Sequence, residues 1–474
     1  MTDALTPDLC VIGAGSAGLS VAAGASRMGA RVVLIEKGRM GGDCLNTGCV
    51  PSKALLAAAH AAAAVRGARR FGIDAGAPAV DFAAVHRHVH GVIEAIAPND
   101  SVERFEGLGV TVLRVPARFT APDEVRAGDA VVRARRFVVA TGSAPLVPPV
   151  PGIEQVPYLT NETVFDATAC PAHLLVIGAG PIGVELAQAH RRLGAAVTMV
   201  EMARALPRDD PECARFALEA LTAEGVVLHE QARVTAVEAT AGGVALTVEG
   251  EGGRQRLEGS HLLVAAGRRP SVEGLELEAA GIAYDRRGIQ VDAGLRTTNR
   301  KVFAIGDVAG PYQFTHMASY QAGIVIRRAL FRLPAKVDYR AVPWVTYTDP
   351  EVAQVGLTES EARARHGEVR VVRWPLADND RAQAEARTDG LIKVMTTCRG
   401  RVLGASIAGA HAGELVLPWG LAIARRLGIG AVASLIAPYP TLSEASKRAA
   451  GEWYAPALFG PRTRVLVRLL AKLG

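Results

Sequence analysis

The sequence predicts an α/β fold made of two copies of one strand–turn–helix–strand unit with an α+β segment after them. Three observations carry this reading. Residues Leu9–Glu36 recur as Leu174–Glu201, offset by 165 positions. Each copy passes from an apolar run through three spaced glycines into a helix-period segment and a second apolar run. At 474 residues the chain is too long for one ordinary core.

The first copy reads LCVIGAGSAGLSVAAGASRMGARVVLIE and the second LLVIGAGPIGVELAQAHRRLGAAVTMVE. In each, the first glycine (Gly13, Gly178) makes the tight turn. The second (Gly15, Gly180) lets backbone approach a pyrophosphate, and the third (Gly18, Gly183) lets the helix pack on the strand. The helix N-terminus offers N–H groups and positive dipole to phosphates. Glu36 and Glu201 end the second strands, where a carboxylate can accept hydrogen bonds from an adenosine ribose. One G-x-G-x-x-G is weak evidence; two in full strand–turn–helix–strand context predict two Rossmann-like dinucleotide-binding domains.

Composition narrows the class. The formal charge of +6 is modest and mostly spread along the chain, and no basic stripe with interleaved aromatics appears, so nucleic acid is not the expected partner. The start, MTDALTPDLC, lacks a charged region followed by an apolar one, and no signal peptide is expected. The most apolar stretch, Ala54–Val65, reads as too short and Ala-rich to span a bilayer. Six cysteines in so long a chain do not form a secreted disulfide framework. A reducing cytoplasm is the expected compartment.

After the first copy comes Gly41-Gly42-Asp-Cys44-Leu-Asn-Thr-Gly-Cys49-Val-Pro-Ser-Lys53. A regular helix separates Cα atoms five residues apart by roughly 8–9 Å. A disulfide needs about 4.4–6.8 Å. Cys44 and Cys49 can therefore bridge only if the intervening turn is distorted, which Gly48 eases. So small a loop would stabilise folding little, and no neighbouring Cys or His pair completes a metal site, so no metal is expected. The pair reads as a reversible dithiol/disulfide.

This segment resembles the signature of the class I pyridine nucleotide–disulfide oxidoreductases, among them dihydrolipoamide dehydrogenase, glutathione reductase and mercuric reductase. Other landmarks of that family follow in order: Ala140-Thr141-Gly142, Ala266-Gly267-Arg268-Arg269-Pro270, Val302-Phe303-Ala304-Ile305-Gly306-Asp307 and Thr348-Asp349-Pro350-Glu351. The resemblance implies an FAD-binding domain at 1–149, an NAD(P)-binding domain at 150–270, a continuation of the FAD domain at 271–340 and an α+β dimerisation domain at 341–474. It implies FAD held by the first glycines, Glu36, Gly42, Lys53, Thr141, Gly142 and Asp307. The nicotinamide coenzyme would meet the second glycines, Glu185, Glu201 and Gly267. NADH is preferred because Glu201 suits a ribose hydroxyl, although Arg204 nearby leaves room for NADPH. By the same resemblance Cys49 is the charge-transfer thiol beside the flavin and Cys44 the interchange thiol. Lys53 lies near the flavin and pairs with Glu185, and a homodimer builds each active site from both subunits. The implied activity takes a hydride from NAD(P)H through FAD to Cys44–Cys49, and on to a disulfide, metal ion or similar small acceptor.

Two features depart from the family. Its His-Pro-Thr-x-x-Glu motif is here Tyr439-Pro440-Thr441-Leu442-Ser443-Glu444. An imidazole is a base near neutral pH; a phenol is a poor one. That argues against dihydrolipoamide dehydrogenase and resembles mercuric reductase, where a Tyr in this place lines the metal path; an apolar interface residue with no catalytic part is the equal alternative for Tyr439. The vicinal C-terminal cysteines and N-terminal metal-binding domain of mercuric reductase are not among these residues. Cys398, in a strand-like run, is expected to be a core residue. The second departure is the tail. On a helix from Thr463, the residues Val465, Leu466, Leu469, Leu470 and Leu473 share one face, and Arg464, Arg468 and Lys472 form a basic row. Such a helix at 463–473 suits either a membrane surface or the protein's own dimer. A reading of another class is then a peripheral membrane redox module that serves a partner protein or a quinone.

Overall fold

The computed structural model describes residues 4–473. It comprises two compact units. The first runs through Gly178 and includes Ala189–Val200 and Ala232–Val337; the second comprises Ala179–Gln188, Glu201–Gln231 and the chain from Asp338.

The first unit is organised by a parallel sheet. Its strands lie in the order Val302–Ala304, Arg136–Val139, Leu9–Ile12, Val32–Ile35 and Val110–Leu113. Leu9 is in register with Val32 on one side and Arg136 on the other. Parallel strands covered on both faces read as unbroken apolar runs, and Leu9–Ile12 and Val32–Ile35 are buried throughout. Alternate residues face opposite ways. Leu9, Val11 and Leu34 meet Val21, Ala25 and Val325 of two helices. Cys10, Ile12 and Ile35 meet Phe119, Phe137 and Val139. Cys10 is thus a core residue, and burial pushes its thiol pKa up. The strand Val302–Ala304 shows the chain returning to the first sheet after the second glycine repeat. In that repeat His173–Ile177 runs parallel between Ala196–Val200 and His261–Val264, the same central position that Leu9–Ile12 holds.

The helical run Gly42–Phe71 is longer than the apolar stretch Ala54–Val65 suggested. At 30 residues, broken at Thr47 and Gly48, it is long and apolar enough by composition to cross a membrane. Its residues Pro51, Ala54, Leu55, Leu56, Ala59 and Ala62 are buried within the protein, which accounts for their apolarity.

The second unit holds a five-stranded antiparallel sheet in the order Pro343–Thr346, Glu351–Gly356, Val402–Gly409, Leu391–Thr397 and Val369–Pro375. Val402–Gly409 is buried along its whole length, and Trp419, fully buried, packs in the same core. The antiparallel sheet with its covering helices makes this segment α+β, as expected. Cys398 departs from expectation: it is exposed. The strand ends at Thr397, and Cys398 enters the turn that Gly400 closes through its N–H to Thr397 O at 2.8 Å.

Candidate dithiol and nucleotide site

The two glycine turns are built alike. Gly13 and Gly178 both have φ of +103°, in the left-handed region. A Cβ on Gly13 would lie 2.4 Å from Ala140 O, and one on Gly178 would lie 2.5 Å from Ala265 O. A Cβ on Gly18 would meet Gly13 O at 1.8 Å, so helix and turn touch backbone to backbone. The middle glycines differ in kind: a Cβ on Gly15 would meet nothing nearer than 3.8 Å, and one on Gly180 nothing within 4 Å. That is the open backbone a pyrophosphate requires. Gly183 is buried at the start of the helix Pro181–Leu193.

The acidic strand ends repeat too. Glu36 accepts from Ala14 N at 2.6 Å and Gly38 N at 2.6 Å. Glu201 accepts from Ala179 N at 2.8 Å and Ala203 N at 2.9 Å. Each carboxylate is thereby fixed over its glycine turn, with lone pairs left for ribose hydroxyls. Arg204 is turned elsewhere, donating to the backbone oxygens of Pro207 and Asp209 at 3.4 and 3.2 Å.

The dithiol segment packs directly on the first turn. A Cβ on Gly42 would lie 2.6 Å from Gly15 Cα. The short helix Gly42–Asn46 stops at Thr47, Gly48 adopts φ −123° and ψ −114°, and a new helix begins at Cys49. A side chain on Gly48 would meet Asp43 O at 2.9 Å. This break supplies the distorted turn that the spacing of the cysteines demanded, and in the reduced state the two thiols hydrogen-bond each other. Cys49 is brought down to about 6, first by the hydrogen bond from Cys44, then by Thr315 and the charge of Lys53, while burial and Asp43 oppose. Cys44 is pushed up by that same hydrogen bond and by burial. Cys49 is therefore the thiolate of the pair at neutral pH.

Thr315 was not legible as a site residue. It opens the helix Thr315–Ala329 and places Oγ1 3.5 Å from Cys49 Sγ, so hydroxyl and helix N-terminus both favour negative charge on the sulfur. Arg268 had no assigned role within Ala266–Pro270. It donates to Ser143 Oγ at 2.7 Å and lies 3.3 Å from Asp43, while Ser143 donates to Asp307 at 2.6 Å. Asn161 donates to Asp43 at 3.0 Å. The dithiol loop and Asp307 are thus held by one polar network. Burial raises the Asp307 carboxyl pKa despite this support. Thr141 donates to Ser271 O at 2.7 Å, and Gly142, at φ +70°, presents open backbone beside it. Gly267 has φ +124°. The open glycines and fixed carboxylates fit FAD in the first copy and a nicotinamide dinucleotide in the second.

In the second unit Glu185 is buried and accepts from Tyr347 N at 2.9 Å. Tyr439 is exposed and donates its hydroxyl to Asp380 at 2.8 Å; Glu444 is engaged by Arg448 at 2.8 Å. Asp380 is a further site candidate that the sequence did not single out.

Residues 7–322 match the pyridine nucleotide-disulphide oxidoreductase family, and residues 342–450 match its dimerisation domain. The chain belongs to this family. It is 35% identical to a mercuric reductase of Streptomyces lividans over 451 residues, covering 94% of this chain and 95% of that protein. It is 37% identical to a dihydrolipoyl dehydrogenase of Thermus scotoductus over 465 residues, covering 96% and 98%. Among solved structures, the Cu(II) complex of the HOCl-induced flavoprotein disulfide reductase RclA from Escherichia coli matches with a TM-score of 0.83 at 28% identity, over 93% of this chain and 98% of that chain. This oxidoreductase is accordingly FAD-dependent, uses NAD(P)H, and carries a homodimerisation domain.

Proposed function

We propose that this oxidoreductase uses NADH to reduce a thiophilic metal ion, mercuric ion foremost, rather than to turn over a dithiol. The Tyr439–Asp380 hydrogen bond carries the reading: the phenol is the donor, and the carboxylate keeps its pKa raised. A dithiol substrate must lose protons to a base as it attacks the disulfide. A bare metal ion has no proton to give up. Soft cations bind thiolates and displace a thiol proton where one remains, so Cys44 can take such an ion beside the Cys49 thiolate. The balance is NADH plus Hg²⁺ giving NAD⁺, H⁺ and Hg⁰.

Bound FAD supplies a two-electron relay between nicotinamide and dithiol. The residues around it have separate tasks. Cys44 receives the acceptor, and Cys49 holds the negative charge. Lys53 and Thr315 stabilise that charge, Asp307 and Glu36 would anchor the flavin nucleotide, and Glu185 would meet the nicotinamide coenzyme. Glu201 reads the coenzyme ribose, and Gly267 lets its backbone approach. Tyr439 and Glu444 of the partner subunit complete the site in the homodimer. One relative supports a metal acceptor by name, a mercuric reductase, and a second, a flavoprotein disulfide reductase, is known as a Cu(II) complex.

The test is steady-state NADH oxidation by the holoenzyme with Hg²⁺ and excess thiol, Cu²⁺, lipoamide and glutathione disulfide, with volatile mercury measured directly. Metal-dependent turnover at least tenfold above that with either disulfide is expected. Faster turnover with lipoamide would replace this reading with that of a dihydrolipoyl dehydrogenase.

A further inference from the structure

The residues after 450 lie beyond both stretches that match the family, and nothing in the redox chemistry uses them. From Ala455 to Leu473 the sequence holds four cations, Arg462, Arg464, Arg468 and Lys472, and no acidic residue. The helix Pro461–Leu470 carries most of them. Phe459, Val465, Leu466, Leu469, Leu470 and Leu473 are each more than half exposed, in contrast to the apolar residues of the sheets. At about 100° per residue, Arg464, Arg468 and Lys472 fall in one narrow strip, while the aliphatic side chains cover the broad remainder, with Arg462 on that side only in the first turn.

We infer that Pro461–Leu473 is an interfacial helix that seats the enzyme on an anionic lipid surface. The apolar arc loses its contact with water only by entering an apolar medium, and the basic strip needs a negative counterpart beside it. A lipid surface offers both at once: acyl chains for the arc, phosphate headgroups for the strip. A second copy of the chain is a poorer complement, because its own net charge is +6. With no acid between Ala455 and Leu473, the cations lack partners within the segment itself. The role is placement, and it stands independently of which acceptor the dithiol reduces.

The test uses the full-length holoenzyme and sedimentation with vesicles of phosphatidylcholine alone or mixed with about one quarter phosphatidylglycerol. Binding to the mixed vesicles at ~50 mM salt is expected, with little binding to the neutral ones and release as screening rises toward ~500 mM. Each cation near such a surface contributes about fivefold, so Arg464→Gln with Arg468→Gln should weaken binding roughly 25-fold. NADH-driven flavin reduction should be unchanged in that variant, which shows that the fold is intact. Leu466→Glu with Leu470→Glu should abolish vesicle binding and leave the dimer whole in sedimentation velocity. No binding to anionic vesicles at low salt would overturn the inference. Equal binding to both vesicle types, or loss of the dimer in the Leu466/Leu470 variant, would also overturn it, the last in favour of a second copy as the occupant.

Discussion

Tyr439 donates its hydroxyl hydrogen to Asp380 over 2.8 Å, in the place where related disulfide reductases carry the histidine of His-Pro-Thr-x-x-Glu. The negative carboxylates of Asp380 and Glu444 raise the phenol above its ordinary value of 10. Across the neutral range the group is a filled donor. Its one proton is committed to Asp380, and it has no capacity to accept another from a thiol.

Dihydrolipoamide oxidation by the native enzyme should therefore be slow at pH 7 and accelerate as pH rises. The sign follows from which group ionises: alkali deprotonates the substrate thiol directly, without help from the protein. Tyr439→His installs a base of ordinary pKa near 6.5. General-base catalysis contributes about 10²–10⁴-fold, so even partial geometry should give a visible gain near pH 7–8. Asp380→Asn removes the charge that holds the phenol up and should lower its pKa, read by ultraviolet difference titration. Vigorous lipoamide turnover in the native enzyme, indifferent to Tyr439→His, would show that the missing base does not govern acceptor choice.

The cysteine pair gives a second expectation that needs no cofactor. In the reduced apoprotein, alkylation of Cys49 by iodoacetamide should rise with pH through a midpoint at about 6. Cys44→Ala tests the largest cause, the hydrogen bond from the neighbouring thiol. Thr315→Val and Lys53→Met test the next two. Each should move the midpoint up toward the ordinary thiol range. A loss of one charge-assisted hydrogen bond would slow alkylation at pH 6 by about tenfold. If all three variants keep the native midpoint, the thiolate is not stabilised by these contacts.

Much of this site was legible because its chemistry imposes local patterns. Gly13 and Gly178 share one φ and one close carbonyl contact, so their spacing and their flanking apolar runs had to repeat. Cys44 and Cys49 could meet only across a broken helix, and Gly48 marks the break. What escaped are residues brought in by distant chain segments. Thr315 reaches Cys49 from a helix 266 positions away. Arg268 reaches Asp43 because an antiparallel pairing sets Arg268–Pro270 against Ser143–Pro145. Neither threonine nor arginine carries a spacing signal for such a contact. Cys398 reads as core for a related reason: the strand is buried from Ile392 to Thr396 and ends at Thr397, and only the turn after it leaves the sulfur exposed.

Coenzyme choice is expected to turn on Glu201. Its carboxylate is fixed by two backbone N–H groups, and Arg204, the nearby cation able to soften it, is spent on the carbonyls of Pro207 and Asp209. A 2′-phosphate would face a like charge, which costs several kcal/mol, so kcat/KM should favour NADH by about 10²-fold or more. Glu201→Ala should narrow that ratio at least tenfold, chiefly by improving NADPH. Equal efficiency of the two coenzymes in the native enzyme would refute the assignment.

The second unit contains a buried ion cluster whose pH response can be worked out in sign. Lys393, 2% exposed, lies 2.8 Å from Asp210, 2.7 Å from Glu212 and 2.9 Å from Glu359. Arg373 grips Glu212 at 2.6 Å and Glu359 at 2.9 Å. Removing one partner strands a charge that was desolvated on folding. Lys393→Met leaves Asp210, 1% exposed, without its cation and should cost about 3–5 kcal/mol. Glu212 is drawn down to about 2, first by Arg373 and then by Lys393, against some opposing desolvation. A carboxyl with a depressed folded pKa adds stability that is complete above its unfolded value of 4.5 and fades as pH falls through about 2. Glu212→Gln should accordingly lower the thermal midpoint at pH 7 and converge on the native midpoint near pH 2. Its side chain is 39% exposed, so solvent screening holds the effect at pH 7 to about 1 kcal/mol, well below that of Lys393→Met. Thermal melts of the native protein and both variants from pH 7 to 2 check this. A Glu212→Gln difference that stays constant across the range would mean that packing, not charge, makes this side chain matter.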